Sequence, residues 1–228
     1  MRAILNWLKT WLASTREARL QTLNAPLSPE AIKPAPPAPA PLVPAAPAAP
    51  AGVIFAIPPI TSSFEESPNY RSSGDLARII DLIVLHGTEG SFQGALETLK
   101  DAGRKPSPVS AHYVISKRGE FVQLVGENDV AWHAGHGTWG GRKNINERSV
   151  GIELETKNVT DKAYPEIQLQ VLMWLCVRLC RRNYLLSAEK VVGHADVDPG
   201  RKTDPYGFPF ERFRTSLAFH LSRPGGLV

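Results

Sequence analysis

The chain has little cysteine, little net charge and no visible internal repeat. Its two cysteines, Cys176 and Cys180, lie four residues apart in a predicted helix. Neighbours within one helix rarely satisfy disulfide geometry, and one pair cannot complete a thiolate metal site, so we interpret both as core residues. The net charge of +4 is concentrated in residues 1–33, where five basic and two acidic groups give +3. The remainder therefore lacks the basic surface expected of a nucleic-acid-binding protein.

The most apolar feature near the N-terminus is a short stripe, which we assign to an amphipathic helix over residues 1–24. The stripe consists of residues at helical spacing, namely Ile4, Leu5, Trp7, Leu8, Trp11 and Leu12. A transmembrane helix needs about 20 apolar residues, and Asn6 and Lys9 interrupt this shorter run. They also interrupt the apolar centre that a secretory signal requires. Membrane-surface contact through residues 1–20, a poorly cleaved export signal and docking on protein are the three alternatives.

Residues 25–59 are predicted to form a Pro/Ala-rich linker. Within them, residues 34–50 contain eight prolines, seven alanines and no charged side chain. Because proline fixes φ and removes the amide donor, neither helix nor sheet is favoured there, and an extended, semi-rigid spacer is expected. The folded domain is then expected over residues 60–228.

Strand and helix patterns alternate within this domain. Strands are expected near residues 79–86, 112–116, 121–125, 149–155 and 190–194, and helices near residues 91–103 and 165–182. The alternation, with a hairpin around Gly119, predicts an α/β fold in which helices flank a central mixed β-sheet. The strand at 79–86 is apolar except for Asp81, as expected when both faces of a central strand are covered.

Two histidines end predicted strands at the place where functional groups gather in an α/β sheet. His86 closes one strand and His194 closes the last. Asp196, Asp198 and Asp204 all follow His194, and each could supply a carboxylate ligand or form a turn. Two imidazoles and one carboxylate are the ligands of a catalytic zinc site with an open position. The combination predicts a hydrolase.

Further residues could act beside such a metal. Glu153 is a candidate general base, because a carboxylate on a mostly apolar strand is costly unless it faces a wet cleft, a cation or an ion-pair partner. Lys202 could stabilise an oxyanion, although a solvated surface charge is the ordinary role of such a lysine. Trp132 and His133 belong to a Gly-rich aromatic loop that could line a ligand cleft. Core anchoring of Trp132 is equally compatible with the sequence.

Five short segments occur together in one order along the chain. They are Val-Leu-His (84–86), Ser-Ala-His-Tyr-Val-Ile (110–115), Ala-Trp-His-Ala-Gly (131–135), Ser-Val-Gly-Ile-Glu-Leu-Glu (149–155) and Gly-His-Ala-Asp with Arg-Lys-Thr-Asp-Pro (193–205). This set resembles the N-acetylmuramoyl-L-alanine amidases of the AmpD/AmiD type, which are related in fold to phage amidase lysozymes and peptidoglycan-recognition proteins. The resemblance covers residues 75–215. It implies zinc ligands His86, His194 and Asp204, catalytic residues Glu153 and Lys202, and a substrate contact at Arg201.

The resemblance implies hydrolysis of the amide bond between N-acetylmuramic acid and L-alanine, with Zn²⁺ as cofactor. Peptidoglycan or muropeptides are the implied partners of a monomeric chain that binds no nucleic acid. We expect it at the cell envelope, in the periplasm or at the membrane periphery, with the cytoplasm as the alternative location.

Two departures from the family pattern bear on the substrate. Tyr206 follows Asp204-Pro205 where glycine is usual, and Asn144 stands where some relatives carry arginine. A preference for anhydro-muropeptides is therefore not implied. A non-catalytic peptidoglycan-binding module and a zinc endopeptidase that cuts stem peptides are the alternative functions.

Overall fold

The structure is a computed structural model, and it describes residues 62–74, 77–183 and 185–223. The predicted N-terminal helix (1–24) and the predicted linker (25–59) lie outside these residues, so both stay predictions. Within the described ranges, no helix is both long enough and apolar enough to cross a lipid bilayer.

Strands and helices alternate along the described residues. The strands are β1 (Ser62–Phe64), β2 (Tyr70–Arg71), β3 (Leu82–Gly87), β4 (Tyr113–Ile115), β5 (Phe121–Gln123), β6 (Val130–Ala131), β7 (Ser149–Leu154) and β8 (Val191–Gly193). The α-helices are α1 (Phe92–Lys100), α2 (Ile145–Arg148), α3 (Glu166–Arg182), α4 (His194–Val197) and α5 (Phe210–Leu221), and a 3-10 helix covers Ala188–Lys190.

The main sheet has six strands in the order β1-β5-β4-β7-β3-β8. β3 is parallel to both of its neighbours, β7 and β8, and β7 is also parallel to β4. β4 and β5 form the antiparallel hairpin predicted around Gly119. The predicted α/β architecture, a mixed sheet flanked by helices, is therefore confirmed.

Both faces of β3 are covered, which explains its continuous apolar sequence. Ile83 and Leu85 pack with α3 and α5 in the larger core. Leu82 and Val84 pack in a smaller core that includes residues of α2 and α4. Because side chains alternate along a strand, His86 continues the face of Leu82 and Val84, away from the larger core.

The two cysteines lie on the buried side of α3. Cys176 and Cys180 are free thiols, and both are buried in the larger core. Burial raises the pKa of the Cys180 thiol to about 12, so this side chain is an unreactive core group. The interpretation of the cysteines as core residues is confirmed.

The bounds of all five predicted strands differ from the observed ones by one to three residues, and two of these differences have a clear structural cause. β3 begins at Leu82, because Ile79 is 68% exposed and the Asp81 side chain is paired with Arg148. The Nε and Nη2 atoms of Arg148 each donate a hydrogen bond of 2.7 Å to the Asp81 carboxylate. β8 ends at Gly193, because the amide of Gly193 donates to Asp196 Oδ2 over 2.8 Å and a short helix begins at His194. Because of this second difference, His194 is the first residue of a helix and not the last residue of a strand.

Candidate metal centre

Three polar side chains meet at the carboxyl end of the parallel strands. His86 stands near the end of β3, and His194 directly follows the neighbouring strand β8. Asp204 comes from the loop after α4, and its carbonyl oxygen accepts from the Ala195 amide over 2.9 Å, which ties the loop to that helix. Parallel neighbours end at one edge of a sheet, so the topology brings together residues more than a hundred positions apart.

The contact atoms of the three residues form a compact triangle. His86 Nδ1 lies 3.0 Å from His194 Nδ1, and Asp204 Oδ2 lies 3.1 Å from His194 Nδ1 and 3.5 Å from His86 Nδ1. All three residues are buried. In the described part of the chain, this is the group of histidine, cysteine and acidic residues that could hold a metal ion.

The triangle fits a zinc ion on geometric grounds. Bonds of about 2.0–2.1 Å at tetrahedral angles separate neighbouring ligand atoms by about 3.3 Å. The measured separations of 3.0, 3.1 and 3.5 Å bracket this value. Three protein ligands of nitrogen and oxygen type also leave a fourth position open, as catalytic zinc sites do.

The electrostatics of the site favour the forms of these side chains that bind metals. Burial lowers the pKa of His86 to about 4, so the imidazole is neutral near pH 7. Burial alone would raise the pKa of Asp204, but the close contacts of its carboxylate with the His194 and His86 imidazoles outweigh burial and hold that pKa well below its usual range. Neutral imidazole and ionised carboxylate are the states that coordinate a cation.

The structure distinguishes the three aspartates that follow His194. Asp196 caps the short helix through the Gly193 amide, and Asp198 accepts two hydrogen bonds of 3.0 Å from Arg201 Nε. Only Asp204 among these three lies in the triangle. The other two have the local turn and cap roles that short polar side chains commonly take.

Glu153 lies beside the triangle. It is the register partner of His86 across the β3–β7 pair, so both side chains rise from the same face of the sheet. Its Oε2 is buried without a hydrogen-bond partner among the described residues. Burial, followed by the negative charges of Asp204 and Glu89, raises the pKa of Glu153 to about 8. A carboxyl group poised near neutrality is suited to accepting and returning a proton.

One cavity of about 490 Å³ contains these groups. Lys202 and Trp132 line it together with the three ligand candidates and Glu153. His133 also lines it, but its ring is buried and its two nitrogens face His86 Nε2 at 3.0 Å and Ser149 Oγ at 3.2 Å. Arg201 is exposed and paired with Asp198. Substrate contact by Trp132, His133 and Arg201 stays a prediction.

Sequence reasoning assigned no role to several other residues that line the cavity. They include Gly94 and Thr98 of α1, and Arg104 just beyond the helix. Arg104 stands beside Gly103 in a loop, a weak signal that could have raised it as a candidate. Nothing in the sequence indicated that α1 turns its start toward the metal candidates.

The sheet and this cluster define a class of protein: an α/β domain with a His–His–Asp centre and an adjacent acid–base carboxyl, as in metal-dependent hydrolases. Residues 76–207, more than half of the chain, match the N-acetylmuramoyl-L-alanine amidase family called Amidase_2. The chain belongs to this family.

Curated relatives carry two family names. The chain is 35% identical over 140 residues to the N-acetylmuramoyl-L-alanine amidase AmiD of Escherichia coli K12. The aligned residues cover 55% of this chain and 49% of AmiD. It is 42% identical over 111 residues to the 1,6-anhydro-N-acetylmuramyl-L-alanine amidase AmpD of the same strain, covering 48% of this chain and 59% of AmpD. The chain thus spans about half of the curated relatives it matches.

Solved structures of the same proteins share the fold. A crystal structure of an AmpD derivative superposes with a TM-score of 0.57 at 34% identity, covering 68% of this chain and 93% of AmpD. E. coli AmiD in complex with anhydro-N-acetylmuramic acid-L-Ala-D-gamma-Glu-L-Lys gives a TM-score of 0.54 at 31% identity, covering 64% and 60% of the two chains. These likenesses confirm the predicted fold class and the predicted family.

Proposed function

We propose that this chain is a zinc-dependent N-acetylmuramoyl-L-alanine amidase that hydrolyses the amide bond between N-acetylmuramic acid and L-alanine in peptidoglycan or its fragments. The observation that carries the proposal is the meeting of His86, His194 and Asp204 in one cavity with Glu153, whose buried Oε2 has no hydrogen-bond partner among the described residues. Membership of the amidase family and the muropeptide substrate named for AmiD supply the bond and the substrate class.

His86, His194 and Asp204 would hold the zinc ion. When bound, zinc would supply Lewis-acid polarisation of the scissile carbonyl and lower the pKa of water at the site. The three residues are buried and tied to β3, β8 and the loop after α4, so their positions are set before substrate arrives. Such preorganisation is what an electrostatic catalyst requires.

Glu153 acts as the general base and then as the general acid. It accepts a proton from the attacking water as the oxygen–carbon bond forms, and it returns that proton to the alanine nitrogen as the carbon–nitrogen bond breaks. The Glu153 side chain belongs to the same cavity as the ligand residues, which satisfies the requirement for proximity.

Lys202 stabilises the negative charge that develops on the carbonyl oxygen. Its side chain is exposed at the cavity, two residues before Asp204. A single oxyanion donor contributes about 3–4 kcal/mol to transition-state stabilisation in comparable acyl-transfer enzymes. Trp132, which also lines the cavity, offers a flat face against which a sugar ring or a peptide plane packs.

Digestion of purified sacculi, with mass analysis of the products, tests this function. An amidase releases intact stem peptides and leaves free lactyl groups on the glycan, and a chelator should stop the reaction. Shortened stem peptides would indicate an endopeptidase, and uncut sacculi that retain the protein would indicate a binding module. Either of these outcomes would contradict the proposal.

Action at the cell envelope is the location that the sequence favours over the cytoplasm. The support is the amphipathic pattern of residues 1–24 and the proline-rich composition of residues 25–59, which together suit a tether at a membrane surface. Removing residues 1–50 should release the protein from membrane fractions, because the apolar stripe is lost. Unchanged membrane association of that variant would contradict this location.

A further inference from the structure

A line of buried hydrogen bonds runs from the start of β7 to the first metal-ligand candidate. Ser149 Oγ lies 3.2 Å from His133 Nε2, and His133 Nδ1 lies 3.0 Å from His86 Nε2. Ser149, His133 and His86 are all buried. The roles of donor and acceptor along this line decide which nitrogen of His86 carries a proton.

The Ser149 hydroxyl determines which atoms donate and which accept along this line of hydrogen bonds. Ser149 Oγ also lies 2.6 Å from the carbonyl oxygen of Ile145, and a carbonyl can only accept, so the single hydroxyl proton is donated there. The hydroxyl oxygen is then left as an acceptor toward His133. His133 must therefore carry its proton on Nε2.

The same logic continues through the two imidazoles. A neutral imidazole has one N–H donor and one bare acceptor nitrogen, so protonation of His133 at Nε2 makes its Nδ1 an acceptor. His86 Nε2–H donates to that acceptor, which leaves His86 Nδ1 bare. His86 Nδ1 is the atom that faces His194 and Asp204 in the triangle.

The backbone of β7 keeps the His133 ring in this line. A Cβ atom on Gly151 would lie 2.4 Å from His133 Cγ, so the ring packs directly on a strand position that has no side chain. The ring meets that of His86 edge to face, with centroids 5.1 Å apart and planes at 82°. This contact and the two hydrogen bonds fix both the place and the rotation of the ring.

We infer that His133 and Ser149 are positioning residues, which hold His86 as the Nε2–H tautomer so that its Nδ1 is free to bind the metal. This inference rests on the proposed zinc site and adds two residues that act through a ligand. The opposite tautomer of His133 would place a proton on its Nδ1 and force the proton of His86 onto the metal-facing nitrogen. Partners that fix a ligand histidine in this way typically change metal affinity by about 10- to 100-fold.

Nitrogen NMR of chelator-treated, ¹⁵N-histidine-labelled protein tests the tautomers directly. Wild type should show His133 and His86 protonated at Nε2, assigned from the two-bond couplings between ring nitrogens and carbon-bound protons. Protonation of His133 at Nδ1 would overturn the inference. Because no metal is present in this measurement, it stands even if the proposed zinc function is wrong.

Zinc affinity, measured by competition with a chromophoric chelator, tests the consequence. Ser149→Ala should weaken zinc binding by about 10-fold or more, because it removes the acceptor that fixes His133. Ser216→Ala is the matched control: it removes an equally buried hydroxyl, which donates to the Arg212 carbonyl within α5 and does not line the cavity of the ligand candidates. Ser149→Ala binding within twofold of the control would overturn the inference.

A pair of substitutions at His133 separates hydrogen bonding from packing. His133→Asn keeps an acceptor atom near the place of Nδ1, whereas His133→Leu has a similar size and no acceptor. The Asn variant should retain more zinc affinity than the Leu variant, with thermal unfolding showing that both fold. Equal affinities would assign His133 a packing role alone. A wild-type protein that binds no zinc would instead contradict the proposed function.

Discussion

Replacing Glu153 with glutamine keeps the size of the side chain and removes its ability to take a proton. Turnover should fall by about 10²–10⁴-fold, the usual contribution of a positioned general base. Zinc affinity should change little, because Glu153 is not part of the His86–His194–Asp204 triangle. Turnover is measured on a soluble muropeptide, and zinc affinity by chelator competition.

The same substitution has an effect on stability whose sign follows from the raised pKa. Glu153 has a pKa of about 8 in the folded protein and its ordinary pKa of about 4.5 when unfolded, so the folded state holds the proton more tightly. Relative to the Gln variant, zinc-free wild type should therefore lose stability as pH rises from 4.5 to 8. A pKa difference of this size corresponds to at most about 5 kcal/mol. Urea unfolding of chelator-treated proteins at a series of pH values measures this difference.

Two results would refute this view of Glu153. Turnover of the Gln variant within tenfold of wild type would remove the residue from the proton-transfer role. A stability difference that does not grow between pH 5 and 8 would mean that its carboxyl is solvated or paired in solution. Glu97→Gln, an exposed change on α1, controls for loss of a negative charge elsewhere and should keep wild-type turnover.

Three further outcomes are expected. Chelation should abolish activity and lower the Tm, and zinc at about 1,000 times its Kd should restore about 4 kcal/mol of stability, measured by calorimetry. Arg148→Met should cost about 2 kcal/mol in urea unfolding, because it removes the two-point partner of the Asp81 carboxylate and leaves the exposed Arg142 paired with it; a cost below 1 kcal/mol would contradict that role. Gly151→Ala should cost about 1–3 kcal/mol and weaken zinc binding, because the new methyl group meets the His133 ring; zinc affinity equal to wild type would count against the packing described.

The main sheet was predictable because its signals are local. The apolar run before His86 and the alternation around Glu153 indicate strands by their own periodicity, and parallel pairing then brings both strand ends to one edge. His86 follows from that reasoning, and His194 follows from the same reasoning applied to the last predicted strand. The resemblance to the amidases added the third, Asp204.

The rest depends on contacts that no local pattern encodes. The choice of Asp204 over Asp196 and Asp198 follows from backbone caps and an ion pair within one loop. The position of His133 depends on a serine sixteen residues away and on Gly151, against whose backbone the His133 ring packs. A serine at the start of a strand is ordinary in composition, so the role of Ser149 emerges only from the assembled hydrogen bonds.

The strand order has a consequence for the synthesis of the protein on the ribosome. His86 is synthesised early, but its strand pairs on one side with β7 and on the other with β8, and Asp204 follows β8. A nascent chain that ends before residue 204 has therefore no complete set of ligands. The full set of ligand candidates cannot assemble until translation has passed that point, so under the proposed function an interrupted product would lack part of the metal site.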